Sequence, residues 1–401
     1  MDLKYKPKDY DLICTFKLDP EGVDFKEAAG AIAAESSVGT WTELTTIKPY
    51  VEELAAHVFQ LEGDLARIAY PIELFEIENM PNILSSIAGN VFGLKALRNL
   101  RLIDVQLPEG LIRSFKGPKY GIQGIRKILG VKDRPLVGTI IKPKLGLKSE
   151  DHAKVAYEAW AGGCDIVKDD ENLSSQKFNP FEKRLDATLE AKDRAENETG
   201  EKKVFITNIT AETETMLERA DMVIGHGGEY VMVDILTCGW SALQTLRKQE
   251  LKLVIHAHRA GHAAFTKNPL HGIAMRPIAT IARIIGVDQL HVGTVVGKMS
   301  ETKAEVLENI DACKMELSGL KTIMPVASGG IHPRLVPALL ETFGKDVVIQ
   351  AGGGVHGHPM GTKTGALAMR HAVDAAIQGI ILEEYAKKHI ELASALDTWK
   401  A

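Results

Sequence analysis

The stretch GGCDIVKDDENLSSQ, residues 162–176, joins a short apolar strand to a cluster of charged side chains. The Ile-Val pair at 166–167 has the composition of a buried strand, and charged residues follow it directly. Because a strand points alternate side chains to one side, Lys168 and Asp170 share a face, and Glu171 lies where the strand gives way to a loop. Carboxylate oxygens are the ligands that Mg²⁺ prefers. The stretch therefore predicts a charged site at a strand end.

The lysine of this cluster has two interpretations. In the first, the ammonium group of Lys168 forms a salt bridge that neutralises the neighbouring carboxylates. In the second, Lys168 loses its proton and reacts with CO2, and the carbamate completes a Mg²⁺ site with Asp170 and Glu171. The K-x-D-E pattern alone is compatible with both, so the rest of the chain has to distinguish them.

Composition limits the class of protein. The chain has 401 residues, of which 45% are hydrophobic and 25% charged, with a net charge of −5. This length favours two domains, and the charge does not indicate a nucleic acid or a membrane surface as partner. The first residues, MDLKYKPKDYD, lack the apolar core of a signal peptide, and no apolar run is long enough to span a bilayer.

The cysteines are far apart in the sequence and form no C-x-x-C pair: Cys14, Cys164, Cys238 and Cys313. A zinc site or a disulfide framework built on them is therefore not expected. Free cysteines are typical of a reducing compartment, so we expect a cytoplasmic protein.

Residues 1–117 have the pattern of a small α+β domain. Strands are predicted at 11–18 and 97–108, and a hairpin that turns at Gly63-Asp64 is predicted within 57–72. Asp24 is expected to cap the helix that follows it. A second helix is expected over 79–90. Together these elements predict a sheet covered by helices on one face.

From residue 118 to residue 385, short apolar runs alternate with longer amphipathic stretches. The eight runs are PLVGTIIK (135–142), DIVKD (165–169), VFITNI (204–209), YVMVDIL (230–236), LVIHAH (253–258), DQLHVGT (288–294), IMPVAS (323–328) and VVIQAG (347–352). Eight strand–helix units predict a C-terminal (β/α)₈ barrel of the α/β class. A doubly wound open sheet is the alternative, although no G-x-G-x-x-G follows an early strand. Residues 386–401 are expected to form a helical tail.

The carboxyl ends of these runs are polar or rich in glycine: Lys142, Lys168, Asn208, Asp234, His258, His291, Ser328 and Gly352. Barrel enzymes build their active sites at these strand ends. Lys142-Pro143-Lys144 at the first run is therefore a candidate for binding an anionic substrate, although two solvated surface lysines would give the same pattern. Arg259, after the fifth run, has the planar fork that suits a phosphate.

The pair His256 and His258 on the fifth run raises a rival class, the metal-dependent amidohydrolases, which also use a carbamylated lysine. Those barrels place an H-x-H on the first strand and an aspartate at the end of the last. Here the pair is on the fifth run and the eighth ends in glycines. Each histidine is equally compatible with a hydrogen-bonded core residue.

Two glycine clusters, Ser328-Gly329-Gly330 and Gly352-Gly353-Gly354, follow the seventh and eighth runs. Glycine lets backbone N–H groups approach a phosphate, and a phosphate site after strands seven and eight is common in barrels. The loop 293–303 carries Lys298 directly after Gly293 and Gly297 and is compatible with a moving lid. These residues alone indicate metal-assisted chemistry on a small molecule with two phosphates, or with one phosphate and an acid. They do not identify the reaction.

Several long motifs resemble one family. They are AAESSVGTWT (33–42), AGNVFG (88–93), TIIKPKLGL (139–147), GGCDIVKDDENLSSQ (162–176), HAHRAGHAAF (256–265), DQLHVGTVVGK (288–298), PVASGGIHP (325–333) and QAGGGVHGHP (350–359). Together they resemble the large subunit of ribulose-1,5-bisphosphate carboxylase/oxygenase (Rubisco), in its archaeal form III branch. The resemblance implies that D-ribulose 1,5-bisphosphate is carboxylated through an enediol, giving two 3-phosphoglycerate from CO2 and water, with O2 as the competing gas.

The resemblance also assigns catalytic roles. A carbamate on Lys168 would bind Mg²⁺ with Asp170 and Glu171 and would take the proton from C3. His258 would assist proton transfers around C3, and Lys142 would protonate the carbanion left after C–C cleavage. Lys298 would close over the developing carboxylate, and Lys144 would support the centre.

Substrate-binding roles follow from the same resemblance. Arg259, His291 and Ser328 would hold one phosphate. The other phosphate would contact Gly330, Gly352, Gly353, Thr40 and Trp41, and the substrate-binding set also includes Gly329 and Gln350. Glu35, Thr40, Trp41 and Asn90 would reach the barrel of a neighbouring subunit. We therefore expect a homodimer or a larger assembly of dimers, without a small subunit.

The sequence departs from the family around the lid. Met299-Ser300 follows Lys298 where Leu-Glu-Gly is usual, the segment to Ser328 is shorter, and Gly261 replaces a common methionine. Turnover and CO2/O2 discrimination are the properties that these changes affect. The alternatives are a Rubisco-like protein that enolises a thio-sugar phosphate and a sugar-phosphate binder without activity.

Overall fold

The computed structural model describes residues 2–40, 42, 44–297 and 301–400. The chain forms two compact units. The first contains Met1–Gly117, Gly261–Ile285 and Glu316–Leu320; the second contains Pro118–Ala260, Gly286–Met315 and Lys321–Ala401. Along the chain, segments of the first unit alternate with segments of the second. The division of the chain into 1–117, 118–385 and 386–401 stays a prediction.

The strands, in chain order, are β1 (Leu12–Pro20), β2 (His57–Glu62), β3 (Leu65–Tyr70), β4 (Leu97–Gln106), β5 (Leu136–Ile140), β6 (Ile166–Lys168), β7 (Val204–Asn208), β8 (Tyr230–Asp234), β9 (Val254–His258), β10 (Gly272–Ile273), β11 (Gln289–His291), β12 (Met324–Ser328) and β13 (Val348–Gln350).

The α-helices are α1 (Phe25–Glu35), α2 (Pro49–Glu52), α3 (Met80–Ile87), α4 (Glu109–Ser114), α5 (Gly121–Leu129), α6 (Ser149–Ala161), α7 (Phe181–Thr199), α8 (Thr213–Gly225), α9 (Ile235–Cys238), α10 (Trp240–Lys248), α11 (Ala263–Thr266), α12 (Met275–Ile285), α13 (Lys303–Lys314), α14 (Val336–Phe343), α15 (Gly353–His356), α16 (Thr362–Gln378), α17 (Leu382–Ala386) and α18 (Ile390–Thr398). Within the described residues, none of these helices has the length and apolar character needed to cross a lipid bilayer.

The first unit is built on a sheet of order β10-β4-β1-β3-β2. β1 pairs antiparallel with both β3 and β4, and β2 and β3 form the predicted hairpin. The carboxylate of Asp24 accepts a hydrogen bond of 2.8 Å from the backbone N–H of Glu27, which confirms the predicted helix cap. The predicted strands and helices of this region are therefore present.

One strand of this sheet was not predicted. β10 pairs parallel with β4, and the buried side chain of Arg101 donates hydrogen bonds to the carbonyl oxygens of Thr266 and Asn268. Arg276 forms an ion pair of 3.0 Å with Asp104. A strand of two residues has no periodic pattern, which explains why the sequence did not reveal it.

The second unit is a closed barrel of order β11-β12-β13-β5-β6-β7-β8-β9. Every neighbouring pair is parallel, and all eight predicted runs supply a barrel strand, which confirms the (β/α)₈ fold and excludes an open sheet. Apolar side chains from these strands and from α5 form one buried cluster that includes Ile166, Ile206, Met232 and Val326. Because all strands run in one direction, their polar carboxyl ends meet at the same mouth.

The chain ends in three helices of the second unit. α16 carries the stretch predicted as the last barrel helix. The predicted tail, 386–401, contains α18, which residues 387–389 separate from α17. His389 occupies the N-cap position of α18, and its side chain makes no capping hydrogen bond.

Candidate active site

Lys168 ends strand β6, and its side chain is fully buried at the mouth of the barrel. Its ammonium nitrogen Nζ donates to the carbonyl oxygen of Asp169 at 2.7 Å, lies 3.3 Å from the sulfur of Met232, and is 3.8 Å from Glu171 Oε2. Burial lowers the pKa of Lys168, and the nearby carboxylates only partly oppose this shift. The neutral amine is therefore more accessible here than on an exposed lysine.

Asp170 and Glu171 follow Lys168 and remain ionised. Burial alone would raise the pKa of Asp170, but hydrogen bonds from Lys142 Nζ at 2.8 Å and from Asn172 at 3.1 Å lower it. Burial also acts to raise the pKa of Glu171, whereas the charges of Lys168 and His258 lower it. The cluster thus presents two carboxylates beside an amine of low pKa.

Asp169 points away from this cluster, as strand alternation requires. Its Oδ2 accepts hydrogen bonds from Arg184 Nε at 3.1 Å and from the backbone N–H of Asn208 at 3.0 Å, and His152 Nε2 lies 3.0 Å from Oδ1. Although burial acts to raise it, these partners hold the pKa of Asp169 at about 2. Arg184 lies on α7 and His152 on α6, so Asp169 fixes β6 to the surrounding helices.

Asn208, at the end of β7, holds the loop that carries the two carboxylates. Its side-chain amide donates to the carbonyl oxygens of Glu171 and Leu173, both at 3.0 Å. The amide is fully buried. These bonds set the position of the backbone directly after Lys168.

His258 ends strand β9 beside Asp234, which ends β8. His258 Nδ1 is 2.6 Å from Asp234 Oδ1, and Nε2 is 3.7 Å from Glu171 Oε2. Because a carboxylate only accepts hydrogen bonds, the proton of the neutral ring lies on Nδ1 and the lone pair lies on Nε2. This pairing can present a base to the mouth of the barrel.

A row of hydrogen bonds runs beneath the mouth from Gln289 to Ser328. Gln289 Oε1 is 2.7 Å from His256 Nδ1, His256 Nε2 is 2.9 Å from His291 Nε2, and His291 Nδ1 is 2.8 Å from Ser328 Oγ. Burial lowers the pKa of His256 to about 3, and it holds that of His291 well below 6.5. Both rings are therefore neutral at pH 7, and the Ser328 hydroxyl donates to His291.

Arg259 follows His258, and its guanidinium forms an ion pair with the carboxylate of Glu301. The side chains are 6% and 13% exposed, so the pair is largely withdrawn from water. Arg259 Nη1 is also buried and has no hydrogen-bond partner among the described residues. Since His291 is neutral, Arg259 supplies a fixed positive charge on this side of the mouth.

Two glycines before Lys298 permit close approaches that other residues would block. Gly293 has φ of +90°, and a Cβ there would lie 3.1 Å from both Arg259 Nη2 and Glu301 Oε1. Gly297 has φ of +85°, and a Cβ there would lie 2.2 Å from the carbonyl oxygen of Gly329. The chain therefore passes directly over the Arg259–Glu301 pair and the glycine cluster after β12.

Strands β13 and β5 meet at the remaining part of the mouth. The stem of Lys142 packs against Gly352, where an added Cβ would lie 3.2 Å from its Cε. Gln350 is buried and donates to the carbonyl oxygen of Thr139 at 3.0 Å, in space that the missing side chain of Gly138 leaves open. The glycines of α15 follow directly.

Comparison with known proteins assigns this architecture. Residues 1–111 match the family model of the ribulose bisphosphate carboxylase large chain, N-terminal domain, and residues 121–399 match that of the catalytic domain. The chain belongs to the Rubisco large-chain family. A relative named ribulose bisphosphate carboxylase from Methanosarcina barkeri is 50% identical and covers 100% of this chain and 98% of its own. Another of that name, from Pyrococcus abyssi, is 51% identical over 100% of this chain and 96% of its own.

Solved Rubisco structures have the same fold. The octameric enzyme of Pyrococcus horikoshii, solved in complex with sulfate, superposes with a TM-score of 0.96 at 50% identity, over 100% of this chain and 96% of its own. The dimeric enzyme of Hyperthermus butylicus gives a TM-score of 0.93 at 46% identity, over 99% and 98% of the two chains. Both are archaeal Rubiscos, as the sequence motifs indicated.

The structure brings most residues of the predicted Rubisco site to the barrel mouth. They are Lys142, Lys168, Asp170, Glu171, His258, Arg259, His291, Ser328, Gly329, Gly330, Gln350, Gly352 and Gly353. Lys144 lies in the exposed turn after β5. Glu35 ends α1, Thr40 follows it, and Asn90 begins a 3₁₀ turn, all in the first unit. Lys298 and Trp41 lie outside the described residues, and the roles of all these residues stay predictions.

Several residues that shape this Rubisco site were not singled out as site residues. Asp234 could have been identified, because it is a carboxylate at the end of a barrel strand. Its pairing with His258 could not, because His258 lies on another strand. Asp169 lies between Lys168 and Asp170 in the sequence, but strand alternation places its side chain on the opposite face from theirs. His152 and Arg184 lie outside every motif quoted above. Gln289 lies within DQLHVGTVVGK (288–298), but nothing in that motif indicates its contact with His256.

Proposed function

We propose that this protein carboxylates D-ribulose 1,5-bisphosphate and so converts it, with CO2 and water, into two molecules of 3-phosphoglycerate. The observation that carries the proposal is the buried amine of Lys168, whose lowered pKa and neighbouring carboxylates suit CO2 chemistry. Membership of the Rubisco family supports the same reaction. O2 would compete with CO2 for the same enediol, giving the oxygenase reaction.

The first step is modification of Lys168. Its neutral amine attacks the carbon of CO2, an N–C bond forms, and the nitrogen loses a proton to the solvent. The product is a carbamate, which replaces a cation by an anion between Asp170 and Glu171. Because burial disfavours the ammonium form, a larger fraction of Lys168 is the neutral amine that this reaction needs than on an exposed lysine. The salt-bridge interpretation of Lys168 describes the unmodified enzyme.

The residues present fit a magnesium ion. Asp170 and Glu171 are held ionised beside Lys168, and three anionic oxygen donors are what this hard cation prefers. Carbamylated Lys168, Asp170 and Glu171 would hold the ion. When bound, Mg²⁺ supplies Lewis-acid polarisation of the substrate oxygens.

Proton transfers are assigned to side chains around this cluster. The Lys168 carbamate removes the proton from C3 of the substrate. His258 accepts a proton at Nε2 as water adds, because the 2.6 Å contact with Asp234 fixes its tautomer. Lys142, whose Nζ is 2.8 Å from Asp170 Oδ2, donates the proton that the carbanion takes up after C–C cleavage.

The two phosphates are assigned to opposite parts of the mouth. Arg259 contributes the charge at one end, and His291 and Ser328 are assigned to the same end. The Ser328 hydroxyl, which donates to His291 in this structure, would turn to donate to the phosphate. The backbone N–H groups of Gly330, Gly352 and Gly353 receive the other end, with Thr40 and Trp41. Lys144, Gly329 and Gln350 complete the binding set.

The remaining parts of the proposal concern the assembly. We propose a homodimer, or a larger assembly of dimers, in which Glu35, Thr40, Trp41 and Asn90 of one chain complete the site of another. Relatives described as dimeric and octameric support an assembly without fixing its size. Lys298 is assigned to the carboxylate that forms from CO2. A cytoplasmic location and the absence of a small subunit stay predictions.

A substrate comparison tests the proposal. Purified enzyme, preincubated with bicarbonate and MgCl2, is given either ribulose 1,5-bisphosphate or a 2,3-diketo-5-thiopentyl phosphate, and products are followed by ³¹P NMR. We expect two equivalents of 3-phosphoglycerate from the first and no enolisation of the second. Enolisation of the thio-sugar alone would identify a Rubisco-like protein, and turnover of neither would indicate a binder without activity.

A further inference from the structure

A second cluster of metal-ligating side chains lies on the C-terminal helices of the second unit. His371 is on α16, His389 occupies the N-cap position of α18, and Glu391 is in the first turn of α18. One ligand atom from each residue lies within 4.8 Å of the other two. None of these residues has a role in the proposed carboxylation.

The cluster contains a nitrogen whose hydrogen-bonding capacity is unused. His371 Nδ1 is buried, has no hydrogen-bond partner among the described residues, and lies 3.9 Å from Glu391 Oε2. The rings of His371 and His389 are 4.1 Å apart between centroids and are tilted by 50°. Burying an unsatisfied polar atom is unfavourable, so this arrangement favours an additional partner between the three side chains.

The surrounding residues hold the cluster in place. The ring of Tyr385 on α17 stacks on His389, with centroids 4.3 Å apart and an angle of 13°. His358 Nε2 is 3.0 Å from the carbonyl oxygen of Glu391, which fixes the start of α18. Such outer contacts orient the ligands of a metal site before the ion binds.

Charge does not oppose a cation here. The nearby guanidinium of Arg370 already pairs with Glu201 at 3.2 Å and lies 3.5 Å from Asp374.

We infer that His371, His389 and Glu391 form a site for Zn²⁺ or a similar divalent transition metal, which links α16 to α18. Two imidazoles and one carboxylate are a donor set typical of zinc, with water as the fourth ligand. Donor atoms around tetrahedral zinc are about 3.3 Å apart. His371 Nδ1 and Glu391 Oε2, which are 3.9 Å apart, would therefore have to approach each other by about 0.6 Å. Mg²⁺ prefers oxygen donors and would be selected against.

Zinc titration of the full chain tests this inference. Chelator-treated protein is titrated with zinc in competition with a chromophoric indicator, in a Lys168→Ala background that disables the proposed catalytic metal site. We expect one zinc ion per chain, and a loss of affinity of more than about tenfold in His389→Ala and in Glu391→Gln. His226→Ala is the matched control, because His226 pairs only locally with Asp186 and Met222 and should leave zinc affinity unchanged.

Two further readouts keep the test decisive. Cobalt(II) in place of zinc should give the intense visible bands of a four-coordinate ion, and these should be lost in Glu391→Gln. Zinc should raise the melting temperature of the parent but not of the variants, whose folding is checked by their melting temperatures in chelator. Absence of stoichiometric zinc in the parent, or equal zinc affinity in parent and variants, would overturn the inference.

Discussion

The guanidinium of Arg259 is paired with the carboxylate of Glu301, in a largely buried contact that a glycine at 293 makes possible. Arg259 is also the residue to which we assign a substrate phosphate. Phosphate oxygens and carboxylate oxygens compete for the same planar fork. On this assignment, Glu301 and the substrate's phosphate compete for one guanidinium.

We predict that Glu301→Gln binds anions more tightly. The neutral amide keeps the shape of the side chain but competes less for Arg259, so the Kd for inorganic sulfate should fall by about threefold to tenfold, equivalent to about 1 kcal/mol. Because the variant leaves Arg259 buried without a counter-charge, its melting temperature should also be lower and should recover with sulfate. Calorimetric titration and thermal melts measure both effects.

The control for this prediction is Glu218→Gln, which removes the same charge at an exposed position on α8. This variant should have the same sulfate affinity as the unmodified protein, and sulfate should change the melting temperatures of the two proteins equally. If Glu301→Gln weakened sulfate binding, Glu301 would belong to the anion site itself and would not compete for it.

Asp169 should make stability depend on acid pH. Its pKa is about 2 in the folded chain against an ordinary value of 3.8, so its contribution is complete above pH 3.8 and is lost as pH falls toward 2. The difference corresponds to about 2 kcal/mol. In urea unfolding, Asp169→Asn should be destabilised at pH 6, and this deficit should shrink by pH 3. Asp64→Asn, on the exposed pair with Lys17, should show neither effect; a deficit independent of pH would contradict the assignment.

Activation by CO2 should accelerate as pH rises. Only the neutral amine of Lys168 reacts with CO2, so the activation rate should increase about tenfold per pH unit while the ammonium form predominates. Because burial lowers the pKa of Lys168, the rate should level off below pH 10.5, the ordinary value for lysine. Stopped activation time courses at constant dissolved CO2 give this profile. A rate independent of pH would exclude Lys168 as the group that reacts.

Two inactive variants should rescue each other if the site is shared between chains. In a mixed dimer of Lys168→Ala and Glu35→Gln chains, one site carries both defects and the other is intact. Random pairing makes half of the dimers mixed, so activity should return to about a quarter of the unmodified enzyme's. Co-refolded chains carrying different affinity tags allow mixing to be verified. If the chains mix and activity stays absent, Glu35 acts within its own chain or not at all.

The barrel could be predicted because its strands are buried on both faces. Each then appears as an uninterrupted apolar run that ends in a polar or glycine residue, and the eight runs reveal both the fold and its mouth. Strand alternation likewise predicts that Lys168 and Asp170 share one face. β10 was not predicted because two residues are too few to show a periodic pattern. Its strand conformation is determined by pairing with β4.

Contacts between distant residues could not be predicted from the sequence. His256 meets His291 because β9 and β11 pair in the register that sets Gln289 opposite His256, and no local pattern encodes that register. The same holds for Arg259 and Glu301, which are brought together by the closed barrel. Burial keeps the ring of His291 neutral. The sequence therefore indicated His291 as a phosphate ligand, but it did not indicate that the ring is uncharged.

Fixation of labelled carbon tests the central claim most directly. Enzyme preincubated with Mg²⁺ and bicarbonate is mixed with ribulose 1,5-bisphosphate and [¹⁴C]bicarbonate, and acid-stable radioactivity is counted beside Lys168→Arg, which keeps the charge but cannot form the carbamate. We predict substrate-dependent label in 3-phosphoglycerate from the unmodified enzyme and none from the variant. Equal incorporation by both proteins would contradict the role of Lys168, and no incorporation by the activated enzyme would contradict the proposed carboxylation.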